Sequence, residues 1–321
     1  MSRVKFLGIL VPAAAVGGWF SGILYEKKRH VLINVSSHEK SSCACVGKYD
    51  KWPGIPFMSV SAATPISDGL DKSVAVPGSR TSQIMKYGFP GMSNIRSQRD
   101  FVLSYDQRNR VPYWVFEHLT PESIKYAEDV DRSKSEFHED KSVHEMFRST
   151  NKDYLGSGYD RGHMAAAGNH KACQQFVDET FVLSNIAPQV GVGFNRNSWN
   201  RLEKHIRKML RVYPNIYVCT GPLYLPRREV DGKMYVKYQV IGANSVAVPT
   251  HFFKIVVAEE KSGGLHMESY VMPNQPIDDN TPLHSFQVPP EAIEKASGFL
   301  FYNAIPRTKI TTINGRKSTW V

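Results

Sequence analysis

Along most of its length the 321-residue chain alternates short runs of β-branched and aromatic residues with clusters of turn-forming residues, and this rhythm restricts the fold more than any other feature. The runs at 101–104 and 111–118 flank Asp106-Gln107-Arg108-Asn109-Arg110 and read as a hairpin. Further strands are expected at 176–183, 215–220, 234–241, 245–248, 251–258 and 265–272, with Gly221-Pro222 ending the second of these and Asp231-Gly232 forming a hairpin turn. One stretch has a different period: Trp199, Leu202, Ile206, Met209, Leu210 and Tyr213 recur at helical spacing across 195–213. Arg196, Arg201, Lys204, Arg207, Lys208 and Arg211 occupy the other faces of that helix, and of these Arg207, one turn beyond Glu203, is the one able to face a site. Residues 290–296 read as a short helix opened by a proline, and Thr120-Pro121-Glu122-Ser123 resembles a helix start. Hairpin-connected strands with a few helices predict an α+β domain around a central antiparallel sheet flanked by helices.

The folded domain is expected to span 81–308. Before it, Arg3 and Lys5 precede an uncharged apolar run over 6–25 that Glu26, Lys27, Lys28 and Arg29 close, so residues 1–30 read as a targeting or membrane-anchor segment. Pro12 and Gly17-Gly18 weaken it as a spanning helix, and on these features alone a secretory signal is an alternative. Residues 31–80, rich in Ser, Gly, Pro and Lys, read as a flexible linker, and 309–321 as a frayed tail. Four cysteines are too few and too scattered for a disulfide framework, and Cys43 and Cys45, in C-A-C, lack zinc or redox spacing. Cys173 and Cys219 are expected to pack as small apolar side chains. A net charge of +10 and a pI near 9.3 suit a polyanionic partner.

The chemistry concentrates in Gly158 to His170, centred on Asp160-Arg161-Gly162-His163. Cutting a phosphodiester needs a base to take a proton from water, a cation on the phosphate, and a backbone that lets substrate approach. His163 is the candidate base, because imidazole changes charge near neutral pH. Arg161 would share a strand face with His163 and can hold phosphate oxygens bidentately; Gly162 would leave room for a nucleic-acid backbone. Asp160 either orients Arg161 or shapes the turn. Downstream, Leu183-Ser184-Asn185-Ile186-Ala187-Pro188-Gln189 is followed by Phe194-Asn195 and Trp199-Asn200-Arg201-Leu202-Glu203. Asn195 opens the helix, where a cap is one role; as a metal contact, a neutral amide suits a hard ion that keeps its waters, with Glu203 holding ion-bound water. His138 and His144 lie in a polar loop and are expected to be exposed or hydrogen-bonded rather than ligands.

These segments, together with Thr220-Gly221-Pro222-Leu223 and Val246-Ala247-Val248-Pro249-Thr250-His251-Phe252-Phe253-Lys254, resemble the non-specific DNA/RNA endonucleases with a ββα-metal (His-Me finger) site, from about Tyr87 to about Phe301. The resemblance implies a Mg²⁺- or Mn²⁺-dependent endonuclease acting on DNA and RNA. Its catalytic set would be His163, Arg161, Glu203, Asn185 and Asp160, with Asn195 contacting the metal directly and Glu203 through water. It also implies a homodimer, products with 5′-phosphate and 3′-hydroxyl ends, and a mitochondrial presequence in contact with the membrane until processing. Release to the nucleus to degrade DNA in programmed cell death is part of the same expectation. The competing reading is an inactive basic nucleic-acid-binding protein. The ten-residue spacing from Asn185 to Asn195 is one longer than in some relatives, which a loop containing Gly191 and Gly193 can absorb.

Overall fold

A computed structural model of the protein describes residues 78–318. The expected targeting segment and nearly all of the expected linker lie outside the described residues. Fourteen strands are described, in chain order β1 (Ile95–Ser97), β2 (Phe101–Asp106), β3 (Val111–Leu119), β4 (Asp160–His163), β5 (Ile186–Gln189), β6 (Asn215–Leu223), β7 (Arg227–Arg228), β8 (Met234–Tyr235), β9 (Val240–Ile241), β10 (Val246–Ala247), β11 (His251–Glu259), β12 (Leu265–Pro273), β13 (Ile310–Ile313) and β14 (Arg316–Lys317). Eight of them form one sheet in the order β1-β2-β3-β6-β11-β12-β13-β14, antiparallel except where β13 joins β12. With its flanking helices this is the expected α+β architecture.

The central strands are buried on both faces, which is why runs such as V-P-Y-W-V-F and F-F-K-I-V-V-A read as nearly continuous apolar sequence. Side chains alternate between two cores. One face carries Leu103, Val115, Val218, Phe252 and Val256 against Met164, Ile186, Phe194, Trp199 and Leu202. The other carries Val102, Trp114, Phe116, Cys219, Phe253 and Ile255 against Ile84, Ile293, Phe301 and Tyr302. The first face holds β4, β5 and the long helix.

Helices are α1 (Arg80–Ile84), α2 (Asn151–Tyr154), α3 (Gln174–Thr180), α4 (Asn200–Met209) and α5 (Pro290–Ser297). A wide-turned segment, Gly191–Trp199, leads into α4 without a break, apart from non-helical Val192 and Gly193. Five expectations need correction. Residues 176–183 are not a strand: Val177 and Phe181, four apart, both pack on Val130 and Ala167, so most of the run is helix α3. Thr120 to Ser123 closes a hydrogen-bonded turn on itself and starts no helix. β6 continues through Gly221 and Pro222, which pair with Phe253 and Phe252 of β11. Residues 234–241 form two short strands, β8 and β9, instead of one. As far as Ser318 the tail is not frayed: Ile310 is buried beside Leu265, and Asn314 and Gly315, with φ of 51° and 74°, turn the chain into β14.

Candidate active site

β4 and β5 pair antiparallel, with Asp160 opposite Gln189 and His163 opposite Ile186, and the helical segment that follows completes a ββα unit. Gly162 is required inside this ladder: a Cβ there would lie 2.1 Å from Oε1 of Gln189. The space the sequence reading reserved for substrate is therefore filled by the buried Gln189 side chain. Asn185 fixes the turn beyond His163. It is fully buried, its Nδ2 donates to the carbonyls of Thr180 (2.8 Å) and Ala165 (3.0 Å), and its Oδ1 accepts from the amide of Ala165 (2.9 Å).

The His163 ring packs against Phe137 and, edge-on, against Phe181, at centroid distances of 5.3 and 4.7 Å. Its Nε2 is buried and has no hydrogen-bond partner among the described residues. Burial, joined by the positive charges of Arg132, His170 and Arg161, pushes the imidazole down to about 3, so it is neutral at physiological pH with a lone pair to offer. Arg161 lies with its guanidinium 4.3 Å above the Phe137 ring and donates to Oδ1 of Asn151 at 2.7 Å. Phe137 thus touches both side chains, as expected for residues two apart on one strand face.

Asp160 does not bond Arg161. Its Oδ2 accepts from Nδ2 of Asn195 (2.9 Å) and Nε of Arg196 (2.8 Å), and its Oδ1 accepts from Nη2 of Arg196 (2.6 Å). The Arg196 hydrogen bond leads the causes that hold this carboxyl below the usual carboxylate range. The consequence lies at Asn195: with its amide nitrogen committed to Asp160, Oδ1 makes no hydrogen bond among the described residues. A five-residue turn, Asn195 N to the Val190 carbonyl at 2.9 Å, sets it there. The glycines before it serve close approach, since a Cβ on Gly191 would crowd the Asp160 carboxylate and one on Gly193, at φ +84°, would lie 2.8 Å from Pro276 Cα.

Glu203 sits on α4, its carboxyl pushed up by burial and opposed by the charges of Lys254, Arg207 and Arg132. Lys254, on β11, is 1% exposed. Its Nζ donates to Oγ1 of Thr220 (2.7 Å) and stands 4.8 Å from the Trp199 ring centroid. Arg132 stands on the histidine side, its guanidinium 5.9 Å from the centroid of the Phe181 ring that packs on His163. Sequence reasoning gave neither residue a role. Lys254 was detectable as the one cation inside F-F-K-I-V-V-A, whereas Arg132 stands in a polar loop with no signal.

The far end of the motif is a buried relay. Arg207 donates to Oδ1 of Asn169 (2.8 Å), and Asn169 donates to Oε1 of Glu117 (2.8 Å). His170, fully buried, bridges Glu117 (3.0 Å) and Asp100 (2.8 Å), and Arg80 closes the chain on Asp100 at 2.7 Å. Against the cost of burial, these two carboxylates lift the imidazole to about 9.

Among the described residues no cluster of three or more His, Cys, Asp or Glu could cage a metal. His138 bonds the Glu136 carbonyl, and His144 accepts from the Met146 amide. The donors that remain are hard oxygens: Asn195 Oδ1, with its amide nitrogen tied down, and the Glu203 carboxylate, which makes no hydrogen bond among the described residues. That set fits an oxygen-seeking ion that keeps most of its water and does not fit zinc.

A family profile described as "DNA/RNA non-specific endonuclease" matches residues 80–308. The chain is 51% identical over 265 residues to "Endonuclease G, mitochondrial" of Caenorhabditis elegans, covering 82% of this chain and 86% of that protein. It is 55% identical over 219 residues to the human protein of the same name, covering 68% and 73%. A solved structure described as "Crystal structure of the EndoG/EndoGI complex: Mechanism of EndoG inhibition" superposes at a TM-score of 0.74 with 62% identity, over 76% of this chain and 99% of the other. Carrying this ββα unit and these relatives, the chain belongs to the DNA/RNA non-specific endonuclease family, and it is a nuclease, a hydrolase, of the mitochondrion.

Proposed function

We propose that the protein hydrolyses phosphodiester bonds in DNA and RNA with Mg²⁺ or Mn²⁺, leaving 5′-phosphate and 3′-hydroxyl ends. The observation that carries this reading is that one ββα unit holds both an uncharged His163 imidazole and an Asn195 oxygen that Asp160 leaves free. His163 accepts a proton from the attacking water, while Arg161 and Arg132 hold the phosphate oxygens. Asn195 Oδ1 would hold the ion and Glu203 its water; Asn185 keeps the turn after His163 rigid. When bound, such an ion would supply charge neutralisation at phosphorus and at the leaving oxygen. Contacts of this kind read phosphate and not base, so cleavage has little sequence preference.

The same reading includes a homodimer and a membrane contact made by the N-terminal segment before processing. It places the nuclease in the intermembrane space or at the inner membrane, and in the nucleus after release during programmed cell death.

The test is plasmid degradation by His163→Ala and Asn195→Ala proteins. Each should lose at least about two orders of magnitude, the usual contribution of a general base being 10²–10⁴. Chelation should abolish wild-type activity, with Mg²⁺ or Mn²⁺ restoring it. Rates close to wild type in both variants would end the proposal.

A further inference from the structure

Beside the site, the described surface carries a groove of about 440 Å³ with Pro121 and Ile124 on one wall and Lys204, Arg207, Lys208 and Arg211 on the other. No carboxylate lines it. Lys204, Lys208 and Arg211 are exposed and make no ion pair or side-chain hydrogen bond among the described residues. Unpaired cations on a helix are ordinarily a solvated face, yet two observations separate this stripe from that case. Residues 204, 208 and 211 repeat at four and three, so on α4 and the turn that continues it they form one row beside the groove. Arg207 belongs to both places: it lines the groove, and it donates to Oδ1 of Asn169 in the motif at 2.8 Å. Lys171 extends the field, since Arg207 and Arg132 hold its ammonium below the ordinary lysine value after burial has begun the shift. Arg207, bonded to Asn169 of the motif and lining the groove, therefore joins the exposed row of cations to the candidate site.

We infer that this groove is a phosphate track that holds the nucleic-acid backbone on one side of the cut, which deepens the proposed nuclease reading and rests on it. Charge complementarity selects the occupant: three unpaired cations in a row match the repeating anion of a polynucleotide. From Glu203 to Arg211 is about 12 Å at ~1.5 Å per residue. That equals three to four nucleotides of one strand at ~3.4 Å each. The track contributes to binding and not to the chemical step, so it governs KM and leaves kcat alone.

The experiment uses the full-length protein and the triple variant Lys204→Gln/Lys208→Gln/Arg211→Gln, which removes exposed charge only. Binding of a 30-base-pair duplex in chelator is measured against salt. Each phosphate contact contributes about 0.9 to the slope of log K on log salt, so the variant's slope should be shallower by about 2.7. The same counterion term predicts that KM on duplex DNA rises roughly ten- to hundredfold at physiological salt with kcat unchanged. An unchanged slope together with an unchanged KM overturns the inference. So does loss of binding to phosphatidylserine vesicles with the duplex slope intact, which would assign the face to a membrane. If the wild-type protein binds duplex with a slope that the variant lessens, yet cleaves nothing, the nuclease reading falls and the track stands.

Discussion

His170 makes a quantitative claim about stability. It is fully buried between Asp100 and Glu117, at 2.8 and 3.0 Å, and its folded value of about 9 lies above the ordinary 6.5. A group that holds its proton more tightly when folded stabilises the protein fully below the unfolded value, and that contribution declines as pH rises through the folded value. The loss is ~1.4 kcal/mol per pH unit, on the order of 3 kcal/mol across the window from 6.5 to 9. The perturbation is His170→Gln, which keeps a polar side chain and removes the charge. At pH 6.5 it strands two buried carboxylates and should cost about 3–5 kcal/mol, the usual penalty for breaking a buried pair. At pH 9.5 wild type has lost its own proton, so the gap should narrow by about 3 kcal/mol. Urea unfolding of both proteins at half-unit steps from pH 6.5 to 9.5 measures this directly. Parallel stability curves, with a gap independent of pH, would refute the reasoning.

Other predictions concern the site. Asp160→Ala frees the Asn195 amide and Arg196, and should lower kcat/KM by about 10², the scale of an ångström-level misplacement, while raising the divalent-ion concentration needed for half activity; an unmoved ion titration would contradict the assigned role. Gly162→Ala drives a methyl into Gln189 and should destabilise by about 1–3 kcal/mol, seen as a lower Tm; an unchanged Tm would count against the packing described. Because burial lowers His163, the proposed base stays neutral as pH falls, so the acid limb that it imposes on kcat/KM should lie below the ordinary 6.5. A limb at 6.5 or above, in a pH profile taken on dilute substrate, would show the imidazole to be less shielded than its two phenyl neighbours make it.

Much of this architecture was legible because local pattern and tertiary demand agree. The period of Trp199, Leu202 and Ile206 announces the helix, and those side chains are the ones that reach the core. The strands at 101–106, 111–119 and 251–259 read clearly since burial on both faces leaves little but apolar residues. Where a segment is short, the pattern fails. Gln174–Thr180 contains Phe176 and Val177 and resembles a strand, yet its fate turns on a small cluster with Val130 that only folding assembles. The I-T-T-I run with Asn314-Gly315 did carry a hairpin signal, but nothing local shows that β12 waits beside it. In the site, residue types followed from the chemistry, while partners did not. Asp160 meets Asn195 and Arg196 across 35 and 36 residues of chain, and Gly162 is dictated by a side chain on the next strand.

The two-sided sheet has a practical corollary. The elements that carry the candidate cleavage residues, β4, β5 and α4, pack on one surface of that β layer through neighbours such as Met164, Ile186 and Leu202, while α1, α5 and the segment around Phe301 and Tyr302 shield the reverse. Substitutions confined to the reverse would alter melting behaviour and leave turnover per folded molecule as it was. Dyes or surface tethers attached there would report on the working nuclease without touching its chemistry.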